Sequence, residues 1–266
     1  MIGGVVVGKK MRNIDWNKDD KTTIRKKVIN EVLALEGNYD TQELMNLSAT
    51  LSNFFNKFKG NEDPEDMLVY DMKRIVAMYN LEAKGGDFEE ICEIVAPIFE
   101  RLYNTKKKTI LEHRILARIV DNAPTFEDTH NIALSAIEDI KKFKPYRKYH
   151  DGIRKSFGFN ALGRFLRAKF GSSGDVIETK ADLDRLDELF EYHKNELLKL
   201  CVNGRFPVTH AVIYVREGIY HRNHIAAKKG FYMLLDTGRF GACEAILNEA
   251  RQFDSYLKNM PLPNFD

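Results

Sequence analysis

DTQELMNLSATLSNFFNKFKG, residues 40–60, spaces Leu44, Leu47, Leu51, Phe54 and Phe58 three or four apart, with Phe55 beside Phe54. On a backbone that turns once every 3.6 residues these side chains make one apolar stripe, whereas a strand would scatter them over both faces. Asp40 and Glu43 stand three apart at the front of the run, the spacing of a capping box. Gly60 ends it, where a residue just past a helix often needs positive φ. The stretch is predicted to be a helix.

The same grammar recurs outward along the chain. Asp63-Pro64 is a helix start with Pro at the first position, followed by the stripe Leu68, Met72, Ile75 and Tyr79. Asp87 and Glu90 form a second capping box before Ile91, Ile94, Val95, Ile98, Phe99 and Leu102, and Pro97 inside that run predicts a kink or an early stop. Further helices are expected near 109–121, 126–142, 180–200, 209–237 and 241–258, the last two turned at Gly238. Ala211–Val215 suits a strand by composition, but its neighbours favour helix. No stretch sustains the two-residue alternation and hairpin turns that a sheet needs. The fold class expected is all-α, as two helical lobes or an irregular array of helical hairpins. The expected division is an N-terminal arm over 1–20, a lobe over 21–140, a basic segment over 141–174, a lobe over 175–258 and a tail over 259–266.

Charged residues make up 30% of the chain and apolar ones 44%, enough for a sizeable core. The apolar run Ile2–Val7 is too short for a signal segment, and no run approaches 18 apolar residues. The expectation is a soluble intracellular protein without a membrane partner. Cys92, Cys201 and Cys243 are far apart and lack metal-ligand spacing, so no disulfide scaffold, metal site or cofactor is expected.

One stretch departs from the rest. Residues 141–171 hold ten Lys and Arg against a single acid, Asp151, while the whole chain is only +2, so the remainder is at −7. Phe143, Tyr146, Tyr149, Phe157, Phe159, Phe165 and Phe170 are interleaved with the cations. Clustered cations neutralise phosphates and aromatic faces stack on bases, which points to RNA or another single-stranded nucleic acid. The candidate contacts are Lys144, Arg147, Lys148, Tyr149, Arg154, Lys155, Arg164, Arg167 and Lys169. Phe165, Leu166 and Phe170 also have helical spacing, which would bury them instead. Lys106-Lys107-Lys108 reads first as a solvated loop between helices, with a contribution to a phosphate-binding surface as the alternative.

The turns resemble one another: "LEGNYDTQEL", "AKGGDFEEIC", "NAPTFEDTHN" and "DTGRFGACEA" each set a Gly or Pro before an aromatic and a new helix. The last unit resembles the second half of a tetratricopeptide or pentatricopeptide repeat, with Gly238, Phe240, Cys243, Leu247 and Ala250 at that family's positions. Its first helix departs from the pattern at Gly230-Phe231. The resemblance implies stacked helical hairpins and a concave face for a peptide or protein partner. "KSFGF", Lys155 to Phe159, resembles the aromatic strand of RNA-recognition and cold-shock domains, with Ser156 for the first glycine and no surrounding sheet. Arg216 and His221, with four residues between them, resemble the ribonuclease motif of HEPN domains. That likeness implies metal-free RNA cleavage, with Arg216 stabilising the phosphorane and His221 in proton transfer. Glu217 stands where that family prefers a polar residue such as Asn. The expectation is a surface Arg and a partly buried His, with no catalytic role. The leading expectation is therefore a non-enzymatic nucleic-acid-binding protein, with terminal arms that serve self-association. A helical-repeat interaction module comes second and a ribonuclease third.

Overall fold

The computed structural model describes residues 14–35, 41–61, 63–84, 88–144, 147–238 and 246, with the side chains of Thr41, Arg147 and Lys148 excepted. The chain is all-α, with no strand among the described residues. The expected capping residues Asp40 and Asp87, most of both terminal arms and the helix expected over 241–258 lie outside the described residues. Backbone contacts divide the chain into two units, 1–80 and 81–266.

The first unit contains α1 (Lys21–Ala34), α2 (Thr41–Lys57) and, after a 3₁₀ turn at Pro64–Asp66, most of α3 (Met67–Ala83). The stripe that opened the sequence analysis is buried at Leu44, Leu47, Leu51 and Phe54, and Gly60 takes φ +78° at its end. Asp63 caps the 3₁₀ turn that leads into α3, with Pro64 at its first position. Arg25 on α1, 5% exposed, pairs with Asp63 at 3.0 Å and Glu65 at 2.6 Å, which fastens α1 to that turn.

The second unit contains α4 (Phe88–Asn104), α5 (Ile110–Ile119), α6 (Phe126–Ile140), α7 (Arg147–Lys169), α8 (Lys180–Leu200), α9 (Pro207–Tyr220) and α10 (His224–Asp236). The early stop expected at Pro97 does not occur: α4 runs on to Asn104. Pro97 and Glu93 are both exposed, so water satisfies the carbonyl that proline leaves unpaired, while Ile98, Phe99 and Leu102 stay buried. Reciprocal capping boxes open α5 (Thr109 with Glu112) and α8 (Thr179 with Asp182).

Helix α7 is the hub, packed by α5, α6, α8 and α9. The stretch expected to lie between two lobes is thus the central helix of one unit. Phe157, Ala161, Leu162, Phe165 and Leu166 are at most 1% exposed and join Phe190, Leu197, Val215 and Tyr220 in the core. Of the aromatics in the basic segment, Phe157 and Phe165 are core side chains, and Phe159 and Phe170 are partly buried against the core.

The single helix expected over 209–237 is two. At the break Arg222 takes φ +53°, and the Asn223 side chain caps α10 by accepting from the Ala226 amide at 3.1 Å. Neither residue is Gly or Pro, so the only local signal for the turn is Asn223, a residue type that caps helices. The antiparallel pair closes tightly because Gly218 and Gly230 lack side chains. A Cβ on Gly218 would lie 2.2 Å from the Ala227 nitrogen, and one on Gly230 2.6 Å from the Val215 nitrogen. Gly238 takes φ +66° at the end of α10, as expected of a residue just past a helix.

Candidate polyanion interface

The predicted phosphate-binding cations fall into two groups. The first group is spent inside the fold. Arg164, 2% exposed, pairs with Asp175 at 3.0 Å and donates to the carbonyls of Asp121 and Pro124 at 3.2 Å each. Arg167 pairs with Asp121 at 2.7 Å and lies 4.1 Å over the Phe88 ring. Lys169 pairs with Asp187 at 2.9 Å and sits 3.8 Å above Tyr220, whose hydroxyl donates to the same carboxylate. That hydrogen bond and the Lys169 ammonium offset the burial that would raise the Asp187 carboxyl, and leave it below its ordinary value. Lys155 is buried at 7% and lies 5.0 Å from the Phe206 ring centre. Arg154, half-buried, meets Glu196 at 3.4 Å and Asp151 at 3.8 Å.

Lys155, Arg164, Arg167 and Lys169 are therefore turned into the fold, which corrects the expectation for them, whereas half-buried Arg154 lines a pocket among α6, α7 and α8. Burying a cation unpaired is costly, and acids from the rest of the chain, at a balance of −7 by sequence, supply the counter-charges. Asp121 follows α5, Asp175 lies in the loop after α7, and Asp187 and Glu196 belong to α8.

The second group remains at the surface. Lys144 is exposed and makes no ion pair among the described residues. Tyr149 is 40% exposed, with the Arg114 guanidinium of α5 5.6 Å from its ring centre. Arg147 and Lys148 start α7 beside them, and their side chains lie outside the described part.

Folding adds cations from another loop. Lys106 and Lys107, between α4 and α5, are exposed and without an ion pair among the described residues. The next residue, Lys108, shares an acidic neighbour with Lys142. Both lie in electrostatic reach of Asp139, whose carboxyl is held below its ordinary value first by the 2.6 Å hydrogen bond from Lys142. Both also act on buried His113, whose imidazole is held below its ordinary value mainly by burial, with Asp139 opposing and these ammonium groups adding to the shift. The His113 ring stands edge-on to Phe143 at 6.0 Å. The start of α5, the end of α6 and the start of α7 thus share one basic end. Carbonyl ends such as that of α6 favour nearby cations. Only Lys106-Lys107-Lys108 foretold this contribution in the sequence; Arg114 gave no sign of it.

The other candidate pair is not assembled. Arg216 is 6% exposed, points at α7 and donates to the Phe159 carbonyl, with its guanidinium 4.2 Å over the Phe159 ring. His221 is instead 43% exposed and meets Glu191 at 3.4 Å. The expected exposures are reversed, because the Arg faces the hub helix and His221 lies just beyond the end of α9. Glu217 pairs with Lys194 at 2.7 Å. His130 meets His193 at 3.0 Å rather than Glu127, which holds Arg185. No cluster of three metal-ligating side chains exists among the described residues, and none of their helices is long and apolar enough to cross a membrane.

No protein-family model matches the sequence, and comparisons with curated proteins and with solved structures found no match.

Proposed function

We propose that this protein binds single-stranded nucleic acid, RNA foremost, through the basic end of its second unit and without catalysis. The observation that supports this reading is the exposure of Lys106, Lys107 and Lys144, which make no ion pair among the described residues, together with the 40% exposed Tyr149 on α7. Lysines held on short loops between rigid helices present ammonium groups to a flexible backbone of phosphates, and an exposed Tyr offers a base a face to stack on. The paired Arg164, Arg167 and Lys169 of α7 support the rigidity of this end instead of contacting the ligand.

The test is a salt titration of labelled single-stranded RNA against the wild type and a Lys107→Glu, Lys142→Glu, Lys144→Glu triple variant. Every phosphate that is no longer neutralised takes roughly 0.7 off the log–log slope, so the variant is expected to fall by about 2 and to bind more weakly. Equal affinity and slope in a folded triple variant would sink the reading. A wild-type affinity indifferent to salt would turn the assignment toward a peptide-binding module.

A further inference from the structure

Helices α6, α7 and α8 enclose a pocket of about 110 Å³ next to the basic end. This is well below the roughly 300 Å³ at which pockets for whole ligands begin, so a nucleotide cofactor does not fit and a group of single-ring size does. Leu134, Ile137, Leu197 and Leu200 supply apolar walls, and Tyr192 a ring at one side. Gly158 of α7 lets the Leu197 side chain pack closely onto that helix, since a Cβ there would come within 2.8 Å of it.

The charges that line the pocket cancel in pairs. Lys141 donates to Glu138, and Arg154 meets Glu196 at 3.4 Å, a carboxylate that Lys199, outside the lining, also pairs with. The His193 ring in the lining is 2% exposed and hydrogen-bonded to His130, and burial lowers its pKa to about 3, so it is uncharged at neutral pH. A lining without net charge favours a neutral polar occupant over a phosphate or carboxylate. It still offers acceptors on Glu138 and Glu196 and donors on Arg154, set around apolar walls. Lys141 lines the pocket and adjoins Lys142 of the basic end, so a strand held there would carry its bases past the pocket mouth.

From this geometry we infer that the pocket receives one unstacked base of the bound strand and prefers cytosine to uracil. The inference rests on the nucleic-acid reading above. Cytosine matches the single-ring size and presents an exocyclic amino group, the donor that a carboxylate accepts. Its carbonyl oxygen then faces the Arg154 guanidinium. Uracil places a carbonyl where cytosine has the amino group and would set it against a carboxylate.

Oligocytidylate and oligouridylate of equal length, each end-labelled and followed by fluorescence anisotropy, test this. The wild type is expected to bind oligocytidylate about tenfold more tightly, the lower range of one well-made base contact. The ratio is expected to collapse in a Glu138→Gln, Glu196→Gln double variant, where amides that also donate replace the acceptors. It should collapse too in Ile137→Trp, which fills the pocket from a half-exposed wall and leaves the charges in place. Equal affinity of the wild type for both strands, or a ratio unchanged in both variants, overturns the base pocket while leaving the backbone reading intact. If neither strand binds, the backbone reading falls and the pocket inference with it.

Discussion

At the scale of single residues, burial separates cations that the sequence presents as equals. Arg164 and Asp175 have side chains 3% and 2% exposed, so removing one charge strands the other in a dry site. Arg164→Ala is expected to cost about 3–5 kcal/mol. Lys144→Ala is expected to change stability by no more than about 0.5 kcal/mol, because its side chain is exposed and unpaired among the described residues. Urea denaturation of both variants checks this, and comparable losses would contradict the division into buried and surface cations. That division was illegible in the sequence. The partners of Arg154, Arg167 and Lys169 lie 42, 46 and 18 residues away, and a local count of charge carries no information about them. The same limit reversed the expected exposures of Arg216 and His221.

At the scale of elements, the antiparallel contact of α9 with α10 is the tightest helix pair to test. Gly218→Ala and Gly230→Ala each force a methyl group into backbone atoms closer than 3.0 Å, and each is expected to cost about 3 kcal/mol. Gly152→Ala on α7 meets nothing within 4 Å and is expected to stabilise by about 0.5–1 kcal/mol, since Ala loses less backbone freedom in a helix. Thermal unfolding of the three variants decides the matter, and a harmless Gly218→Ala would mean that the pair is looser than described. Helix positions were largely legible: α2, α3, α6 and α8 follow apolar spacing, caps and breakers within reach of a few residues. The turn over residues 221–223 was not. It depends on an Asn cap and on two glycines that matter only once the helices face each other.

At the scale of the whole molecule, three buried histidines make stability depend on pH. His193 has its pKa lowered to about 3, first by burial and then by His130; His130 and His113 are also lowered, each mainly by burial. The unfolded chain, with these groups near 6.5, takes up protons that the folded state refuses. Stability is therefore complete above about pH 6.5 and declines as pH falls toward the folded values. Between about pH 6.5 and 5 the carboxylates are still ionised, so the decline there belongs to the histidines. Denaturation midpoints measured across that interval are expected to fall, and His193→Phe is expected to flatten the dependence. A flat wild-type profile would contradict the buried neutral pair.

The counter-charges of α7 are also ordered in time. A chain emerges from its N-terminus, so Asp121 is already made when Arg167 appears, whereas Lys169 precedes Asp187 by 18 residues and Arg154 precedes Glu196 by 42. At about 5–20 residues per second, the longer interval lasts roughly 2–8 s. During that interval the most basic part of the polypeptide lacks its late partners while still tethered to the ribosome, a particle built around RNA phosphate. Arrival of α8 supplies intramolecular carboxylates for those cations at high effective concentration. The helix that neutralises Arg154 and Lys169 in the finished fold is thus always made after them.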